Sequence, residues 1–489
     1  MTDADFQKWL AGTNRRGFLI EVGVNVNGSE QTRFLSTFAY RTAPDDTPPN
    51  LAYEPVASPG ISFEERLAVG VGAQPSLAAG DIEISNADGR RDSWLNDVWR
   101  SRPIKVWIGG PGWKRADFVL VFSGVVADVI AKNRDTISLK LQDRMQLLNQ
   151  PISEKTVGGT GAKAASLLPL CFGECHNVTP VLIDAATLKY AVHAGAIESV
   201  IEVRDNGLPV SFTQQPADGT FTLNQAAAGA ITCSVQGHAV GGYVNTVGGI
   251  IRRIVTQFGP VATRMTAADI DADSFAAFEA SCPQPVGLYL TDRTNIISAL
   301  QQLAGSVGAQ VIASNTGLLQ LFRVRAPVAG GRAIGPAQMV ERTLSEKQRP
   351  DVVAGVRIAY AKNWTVQAGL LTALPAEHKD LFALEWLETV AKDDAVRALY
   401  KLDEVVQQQQ TLLLTKADAD AEAARQLSLY KVQRRVFEFD GTPDLLPVKL
   451  GQDVMIKNQR FGLSAGVPGQ VVYRALQFEN QIVRLGVLV

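Results

Sequence analysis

The stretch FVLVFSGVVADVIAKNRDTISLKLQD, residues 118–143, contains two strand patterns separated by a polar turn. In its second half, from Ile137 to Leu141, apolar and polar residues alternate, which is the period of a strand with one buried face. Its first half is apolar on both faces from Phe118 to Phe122, and such a strand must be covered on both sides, by core or by a neighbouring subunit. Similar short runs fill residues 1–150, which we predict to form an antiparallel β domain.

Three further segments follow this domain. Residues 151–245 open with a glycine-rich linker and continue with strand patterns around a hairpin turn at Asp205–Gly207, which predicts a small inserted β domain. In residues 246–344 the apolar period becomes helical, which predicts an α+β domain. Residues 345–489 return to strands, interrupted by one long helix, and end in a barrel-like meander. The predicted fold class is α+β and mainly β, with a coarse echo of one β domain at each end.

Caps and apolar stripes place the helices. Thr266 with Asp269 three residues later resembles a capping box and predicts a helix continuing to Phe278, and Asp292 predicts the N-cap of another. Thr415 is a suitable N-cap for the long helix of the last segment. The stripe of the first helix is Val247, Ile250, Ile251, Ile254, Val255 and Phe258. The stripe predicted for the long helix is Ala417, Ala421, Ala424 and Leu427.

Composition excludes some classes of function. The chain has 489 residues, 46% of them hydrophobic, and 47 lysines and arginines against 49 aspartates and glutamates, a formal net charge of −2. A chain with this balance lacks the positive field that holds nucleic acid non-specifically. No stretch has the length and apolar character of a spanning helix, and the first residues lack the pattern of a secretion signal. The sequence therefore predicts a protein that is made in the cytosol and stays soluble.

Motifs that suggest catalysis lack the context their chemistry requires. GLSAG around Ser464 matches a nucleophile elbow, but a turn and a strand follow it where the elbow needs a helix. The run VGGTGAKAAS, residues 157–166, lacks the spacing of a phosphate-binding loop and is predicted to be a linker. His193, His238 and His378 stand alone in sequence, and we interpret them as structural or surface histidines. We therefore predict no catalytic residues.

The four cysteines leave two interpretations open. Cys171, Cys175 and His176 are clustered, and with Cys233 or Cys282 they would supply four ligands to zinc or to an iron–sulfur cluster. Their spacing matches no established ligand pattern, whereas buried free thiols are common as small hydrophobic residues. We favour buried thiols and predict neither a metal ligand nor a cofactor-binding residue.

The order of segments resembles a known family of phage proteins. DIEISNADGRRDSWLNDVWRSRPIKVWIG at 81–109, with the strands after it, is similar to the N-terminal hub domain of baseplate proteins of long-tailed bacteriophages. PLCFGECHNVTPVLIDAATLKYAVHAGAIESVIEVRDNG at 169–207 resembles the small domain inserted after it. GGIIRRIVTQFG at 248–259, VRIAYAKNWTVQ at 356–367 and the AEAARQL helix resemble the second half of these proteins. The resemblance extends from about Gly17 to Val489.

This resemblance implies a baseplate hub with two tail-tube-like β-barrel domains per chain. Three copies would form a homotrimer with a pseudo-sixfold ring that joins the tail tube and the distal tail protein to the tail tip, spike or fibres. The ring would line the channel for the tape measure protein and for double-stranded DNA, which passes without specific binding. The implied location is the virion, at the tail baseplate, after assembly in the cytoplasm of the bacterial host.

The same resemblance leaves alternatives to a purely structural hub. Some hub proteins carry lytic domains, so a tail-associated hydrolase that degrades cell wall is one alternative. A receptor- or carbohydrate-binding tail protein is another, with Phe172, Tyr190, Phe212 and Phe221 of the inserted domain as a sugar-stacking platform. Related hubs in some phages hold an iron–sulfur cluster on cysteines, which directs attention to Cys171 and Cys175.

Overall fold

The protein is described by a computed structural model. The described residues are 3–12, 14–73, 79–160, 163–368, 370, 372, 374–402, 408–477 and 482–489. The chain divides into two compact units. Unit 1 comprises Met1–Leu147, Val311–Asp351 and Gln433–Val489, and unit 2 comprises Leu148–Gln310 and Val352–Val432. Both ends of the sequence therefore belong to the same unit. The four segments defined from the sequence stay a prediction of domain boundaries.

Strands predominate among the described residues. In the first half of the chain they are β1 (Gly17–Val26), β2 (Ser29–Ser36), β3 (Tyr40–Arg41), β4 (Ala52–Tyr53), β5 (Ser62–Arg66), β6 (Ala79–Ser85), β7 (Pro103–Gly109), β8 (Val119–Asn133), β9 (Thr136–Asp143), β10 (Leu170–Val178), β11 (Val181–Asp184), β12 (Lys189–Ala191), β13 (Ile197–Asp205), β14 (Leu208–Pro209), β15 (Phe212–Gln215), β16 (Thr220–Leu223) and β17 (Ile231–His238). In the second half they are β18 (Gly287–Leu290), β19 (Ala309–Ala313), β20 (Leu319–Arg323), β21 (Arg332–Ile334), β22 (Ser345–Gln348), β23 (Gly355–Tyr360), β24 (Leu387–Lys392), β25 (Gln408–Gln410), β26 (Val436–Gly441), β27 (Asp453–Ile456), β28 (Val467–Gln477) and β29 (Ile482–Leu488).

Helices are fewer and lie mostly in unit 2. Those of the described residues are α1 (Asp3–Ala11), α2 (Val247–Gln257), α3 (Ala272–Ser281), α4 (Ile296–Gly305), α5 (Ala376–Ala383), α6 (Asp394–Tyr400) and α7 (Lys416–Tyr430). Within the described part of the chain, none of them has the length and apolar character needed to span a bilayer. The prediction of a mainly β protein with a helical segment is confirmed.

Unit 1 contains two large sheets. The first has the strand order β2-β1-β7-β8-β9-β6, and the second has the order β21-β27-β28-β29-β26-β22, with β5 added against β28. The neighbouring pairs are antiparallel except β21 with β27, which is parallel. Apolar side chains from both sheets belong to one hydrophobic core. In the described residues the end strands of neither sheet pair with each other, so closure into barrels stays a prediction.

The strand that is apolar on both faces is covered by the chain itself. Val121 and Phe122 of β8 pack into the main core of unit 1. Phe118, just before β8, packs into a separate aromatic cluster with Tyr40 and Tyr53. The chain's own core therefore covers Phe118, Val121 and Phe122, whereas Val119 and Leu120 between them are half-buried.

Unit 2 is built from three smaller sheets and most of the helices. Its sheets have the orders β14-β13-β17-β10-β18, β11-β12-β16-β15 and β24-β23-β25. The first two share a core that contains three cysteines and several aromatic side chains. Helix α7 packs against β23 and β24.

The helix starts confirm some of the expected caps and correct others. Thr246 caps α2, and the predicted apolar stripe of α2 is buried apart from the half-buried Phe258. Thr266 forms its capping box on a short 3-10 turn, and α3 begins later, with Asp271 as its cap. The cap of α4 is Asn295, whose side chain accepts from the Ile297 N–H, so the prediction of Asp292 as this cap was wrong.

Helix α7 begins after the expected cap but buries a different face. The Thr415 side chain accepts from the Asp418 N–H, as predicted. The predicted stripe was wrong in three of its four members, because Ala417, Ala421 and Ala424 are exposed. The buried face instead carries two polar side chains, Glu422 and Gln426. These two residues made the true stripe look hydrophilic in the sequence.

Candidate functional site

The two sheets of unit 1 repeat one arrangement of four strands. In the first sheet the spatial order is β7-β8-β9-β6, and in the second it is β27-β28-β29-β26. In each set the strand that comes first in sequence lies last in space, after an antiparallel meander of the other three. A 3-10 turn follows the first strand in both sets, at Asp92–Asn96 and at Pro443–Leu445. The echo predicted between the two ends of the sequence is thus present as a shared topology.

The similarity continues at the outer edge of each set. Antiparallel to β26 lies β22. At the same position beside β6 lies a short extended segment, where the Ser85 N–H donates to Val56 O and the Ser58 N–H donates to Glu83 O. Each half of unit 1 therefore has five neighbouring strand positions, filled in the same spatial order.

Strand β5 joins the two halves. It follows the segment that borders β6, yet it pairs antiparallel with β28 of the other sheet, with five register pairs from Tyr473↔Arg66 to Gln477↔Ser62. The Arg66 guanidinium lies 4.1 Å from the centre of the Tyr473 ring. The Phe63 ring, only 1% exposed, stacks on Phe122 of β8 with centroids 4.4 Å apart. One strand therefore contacts both sheets.

A buried carboxylate fixes this strand. Glu65 is 7% exposed, and its Oε1 accepts from the Asn315 N–H at 2.7 Å. Its Oε2 lies 3.5 Å from the Arg474 guanidinium. Because a buried carboxylate is stable only when it is paired and hydrogen-bonded, these contacts specify the position of β5.

The motifs examined for catalysis lie apart from one another. Ser464 is exposed in the connection between β27 and β28, and not in the strand-to-helix turn of a nucleophile elbow. Of the predicted linker at 157–166, Gly161 and Ala162 lie outside the described residues, and the neighbouring residues Thr156 and Leu167 form an antiparallel bridge.

Three of the four cysteines meet in the core of unit 2. Cys171, Cys175 and Cys233 are buried in one cluster, and Cys282 is buried at the end of α3. Burial raises the pKa of the Cys175 and Cys233 thiols well above the ordinary value, so these thiols stay protonated at neutral pH. Nearby His176 pairs with Glu174 at 3.0 Å. Among the described residues, no group of three or more histidine, cysteine, aspartate or glutamate side chains is arranged to hold a metal ion.

The aromatic residues suggested as a sugar platform are mostly core residues. Phe172 and Phe221 are 1% and 0% exposed. Tyr190 and Phe212 are half-buried and pack on Phe221, with ring centroids 5.4 and 5.9 Å away. A stacking platform for a sugar needs open ring faces, and two of these four rings have none.

Two histidines that are 45 residues apart in sequence form a buried chain of hydrogen bonds. The Cys171 N–H donates to His193 Nδ1 at 3.0 Å, which leaves the proton of the neutral ring on Nε2. His193 Nε2 then donates to His238 Nδ1 at 3.1 Å, and His238 Nε2 donates to Gln257 Oε1 at 2.8 Å. His193 and His238 are thus buried structural histidines and His378 is a surface one, as interpreted from the sequence, but the contact between the first two was not expected.

The surroundings keep both rings neutral. Burial lowers the pKa of His193 to about 3, and the neighbouring His238 and Lys155 act in the same direction. Burial also lowers the pKa of His238, against the opposing effect of the Gln257 hydrogen bond. Protonation of His238 would put a second N–H between the two rings, and protonation of His193 would put an N–H against the Cys171 N–H, so either would break the chain of hydrogen bonds.

We expect unit 2 to lose stability as the pH falls below about 6.5, the ordinary histidine pKa. In the unfolded chain both histidines take up protons there, while the folded rings stay neutral, so acid favours unfolding until the pH approaches the lowered pKa of His193. Thermal unfolding midpoints over a pH series measure this. His193→Asn retains an acceptor for the Cys171 N–H but removes one titrating ring, and should reduce the acid dependence. His378→Asn is the control, and an equal slope in H193N and wild type would contradict the expectation.

Comparisons with known proteins give similarity to solved structures. Neither a family model nor a curated protein matches the sequence. The tail protein from Neisseria meningitidis MC58 is 12% identical over 97% of both chains, with a TM-score of 0.36. A 43 kDa tail protein of prophage MuSo2 from Shewanella oneidensis is 10% identical over 97% of this chain and 98% of its own, with a TM-score of 0.40. A chain of the native gene transfer agent virion is 12% identical over 71% of this chain and 91% of its own, with a TM-score of 0.43.

Proposed function

We propose that this chain is a structural protein of a bacteriophage tail and acts as its baseplate hub. The observation that carries the proposal is the repeated strand order of unit 1, whose halves are joined by β5. A chain with two similar sheets matches two symmetries at once, because three copies around an axis present six similar sheets. Such a ring adapts a sixfold tail tube, with its distal tail protein, to a threefold tip that carries a spike or fibres.

The charge of the chain supports a channel through this ring. A formal net charge of −2 over 489 residues gives no general attraction for phosphates. A wall without that attraction lets the tape measure protein and double-stranded DNA move past it without specific binding. The hub accordingly acts by shape and assembly in the virion, with no catalytic step of its own.

We expect the purified 489-residue chain to form trimers with a mass of about 158 kDa, three times the 52.6 kDa of one chain. Mass photometry measures this directly, and averaged electron micrographs of the particles should look sixfold at low resolution and threefold at higher resolution. A protein that stays monomeric at high concentration, and does not assemble with tail components, would contradict the proposal.

A further inference from the structure

Strand β8 has one edge that is only partly used. On one side β9 accompanies it from Gly124 to Asn133. On the other side the pairing with β7 ends at Val125, and the last backbone bonds join Val126 to Ser101 and Arg102. Beyond that point no strand of the described residues lies beside Asp128–Asn133 on this side.

The matching strand in the other half of unit 1 has this position filled. Strand β28 pairs with β27 from Val467 to Gln470, and β29 runs along its other side. Where β27 ends, the same edge of β28 continues from Tyr473 to Gln477 and pairs there with β5, which comes from the first half of the chain. Strand β5 forms five register pairs, and the unused stretch of β8 is six residues long, so the two edges are of similar length.

The surface beside this edge is a groove that retains apolar side chains. The groove has a volume of about 210 Å³ and is lined by Leu95, Asp97, Val98, Trp99, Arg100, Asp128 and Val129. Leu95 is 43% exposed and Val98 is 52% exposed, and Ile130, the residue of β8 after Val129, is 39% exposed. An unpaired strand edge beside exposed apolar side chains is the arrangement that binds an added strand.

The edge is protected in the single chain. The Asp128 side chain accepts from the adjacent Val129 N–H at 2.9 Å. Asp128 is exposed and can turn away when another acceptor arrives. The Asp128 carboxylate thus satisfies one backbone N–H of this stretch until an added strand supplies another acceptor.

We propose that a second copy of this chain adds an extended segment along Asp128–Asn133 and packs its side chains into the groove. This inference rests on the proposed hub function and names its contact surface. The second copy is the expected occupant because, within one chain, the equivalent edge of β28 is already paired with β5 from the other half of unit 1. In a closed ring of alternating halves, the first half of one copy meets the second half of the next, and the contact at β8 continues the same ring.

Charged side chains in the groove test this contact. The double variant Leu95→Glu/Val98→Glu changes two exposed residues and should weaken trimer formation at least about 10-fold, because it buries unpaired charge at the interface. Val261→Glu is the control for adding a charge at an exposed apolar position, since Val261 is 78% exposed and lies outside the groove. The single variant Ile130→Glu tests the same edge independently and should also weaken trimer formation.

Mass photometry over a dilution series gives the association constants, and unchanged thermal midpoints establish that the variants fold.

The outcomes separate this inference from the proposed function. If wild type forms trimers and both groove variants form them equally well, the contact at β8 is wrong and the hub proposal stands. If wild type stays monomeric at high concentration and does not assemble with tail components, both are wrong. Hydrogen exchange gives a second measurement, because the amides of Asp128–Asn133 that face away from β9 should be protected in the trimer and exchange rapidly in the variant. Rapid exchange of these amides in the wild-type trimer would also overturn the proposed contact between copies at β8.

Discussion

Replacing Phe63 by alanine is expected to lower the free energy of unfolding of unit 1 by about 3–5 kcal/mol, the usual cost of removing a buried phenylalanine. The ring is 1% exposed and stacks on Phe122, so its loss leaves a cavity between β5 and the first sheet. Urea denaturation followed by tryptophan fluorescence measures the change. Five of the seven tryptophans, those at 9, 94, 99, 107 and 113, lie in unit 1, so fluorescence reports mainly on that unit.

The matched control for this variant is Phe461→Ala in the same unit. Phe461 is 45% exposed, and its loss should cost less than about 1 kcal/mol. The two variants remove the same number of atoms, so their difference measures the contribution of burial. Equal costs for F63A and F461A would mean that β5 is not held between the two sheets, and the account of the junction would fail.

Replacing Glu422 by alanine is expected to destabilise unit 2 by about 3 kcal/mol, because it removes a buried carboxylate that bonds both to the Arg425 guanidinium and to the Gln426 amide. Glu422 is 3% exposed and accepts from the Arg425 guanidinium at 2.7 and 2.8 Å and from the Gln426 amide at 2.7 Å. Burial lowers the pKa of Arg425, but the bonds to Glu422 outweigh this and raise it. Chemical denaturation followed by circular dichroism measures the loss.

Two further variants test the cause of this loss. The double variant Glu422→Leu/Arg425→Met removes both charges and should recover most of the stability, since two apolar side chains replace the ion pair. Asp394→Ala breaks the exposed pair with Arg397 in α6, where the Asp394 side chain is 80% exposed, and should cost less than about 1 kcal/mol. If E422A cost no more than D394A, the buried pair would have no special role in α7.

Sequence patterns predicted those parts of the fold that depend on neighbouring residues. The stripe of α2 and the cap at Thr415 involve contacts within one helix, and the alternation in β9 lies within one strand. The face of α7 was mispredicted because Glu422 and Gln426 are satisfied by Arg425 and by Gln409 of β25, and a hydrophobicity pattern does not register such partners. Burial of polar residues therefore needs the tertiary partners to be known.

The candidate site was only partly predictable for the same reason. The echo between the two ends was visible as a similar succession of strands, and the structure has the shared order. The pairing of β5 with β28 joins residues about four hundred positions apart, and no local pattern in SFEER specifies that partner. The hydrogen bond between His193 and His238 was missed because the two residues are 45 positions apart and no local pattern in the sequence links them.

The crossing of β5 also has a consequence for synthesis on the ribosome. Glu65 and its partner Arg474 are 409 residues apart, so the amino-terminal sheet leaves the exit tunnel long before the strand that completes its junction exists. At about 5–20 residues per second, this interval is roughly 20–80 s. During that time β5 lacks its partner strand β28 and Glu65 lacks its contact with Arg474, so we expect the nascent chain to need protection by chaperones until translation is nearly complete.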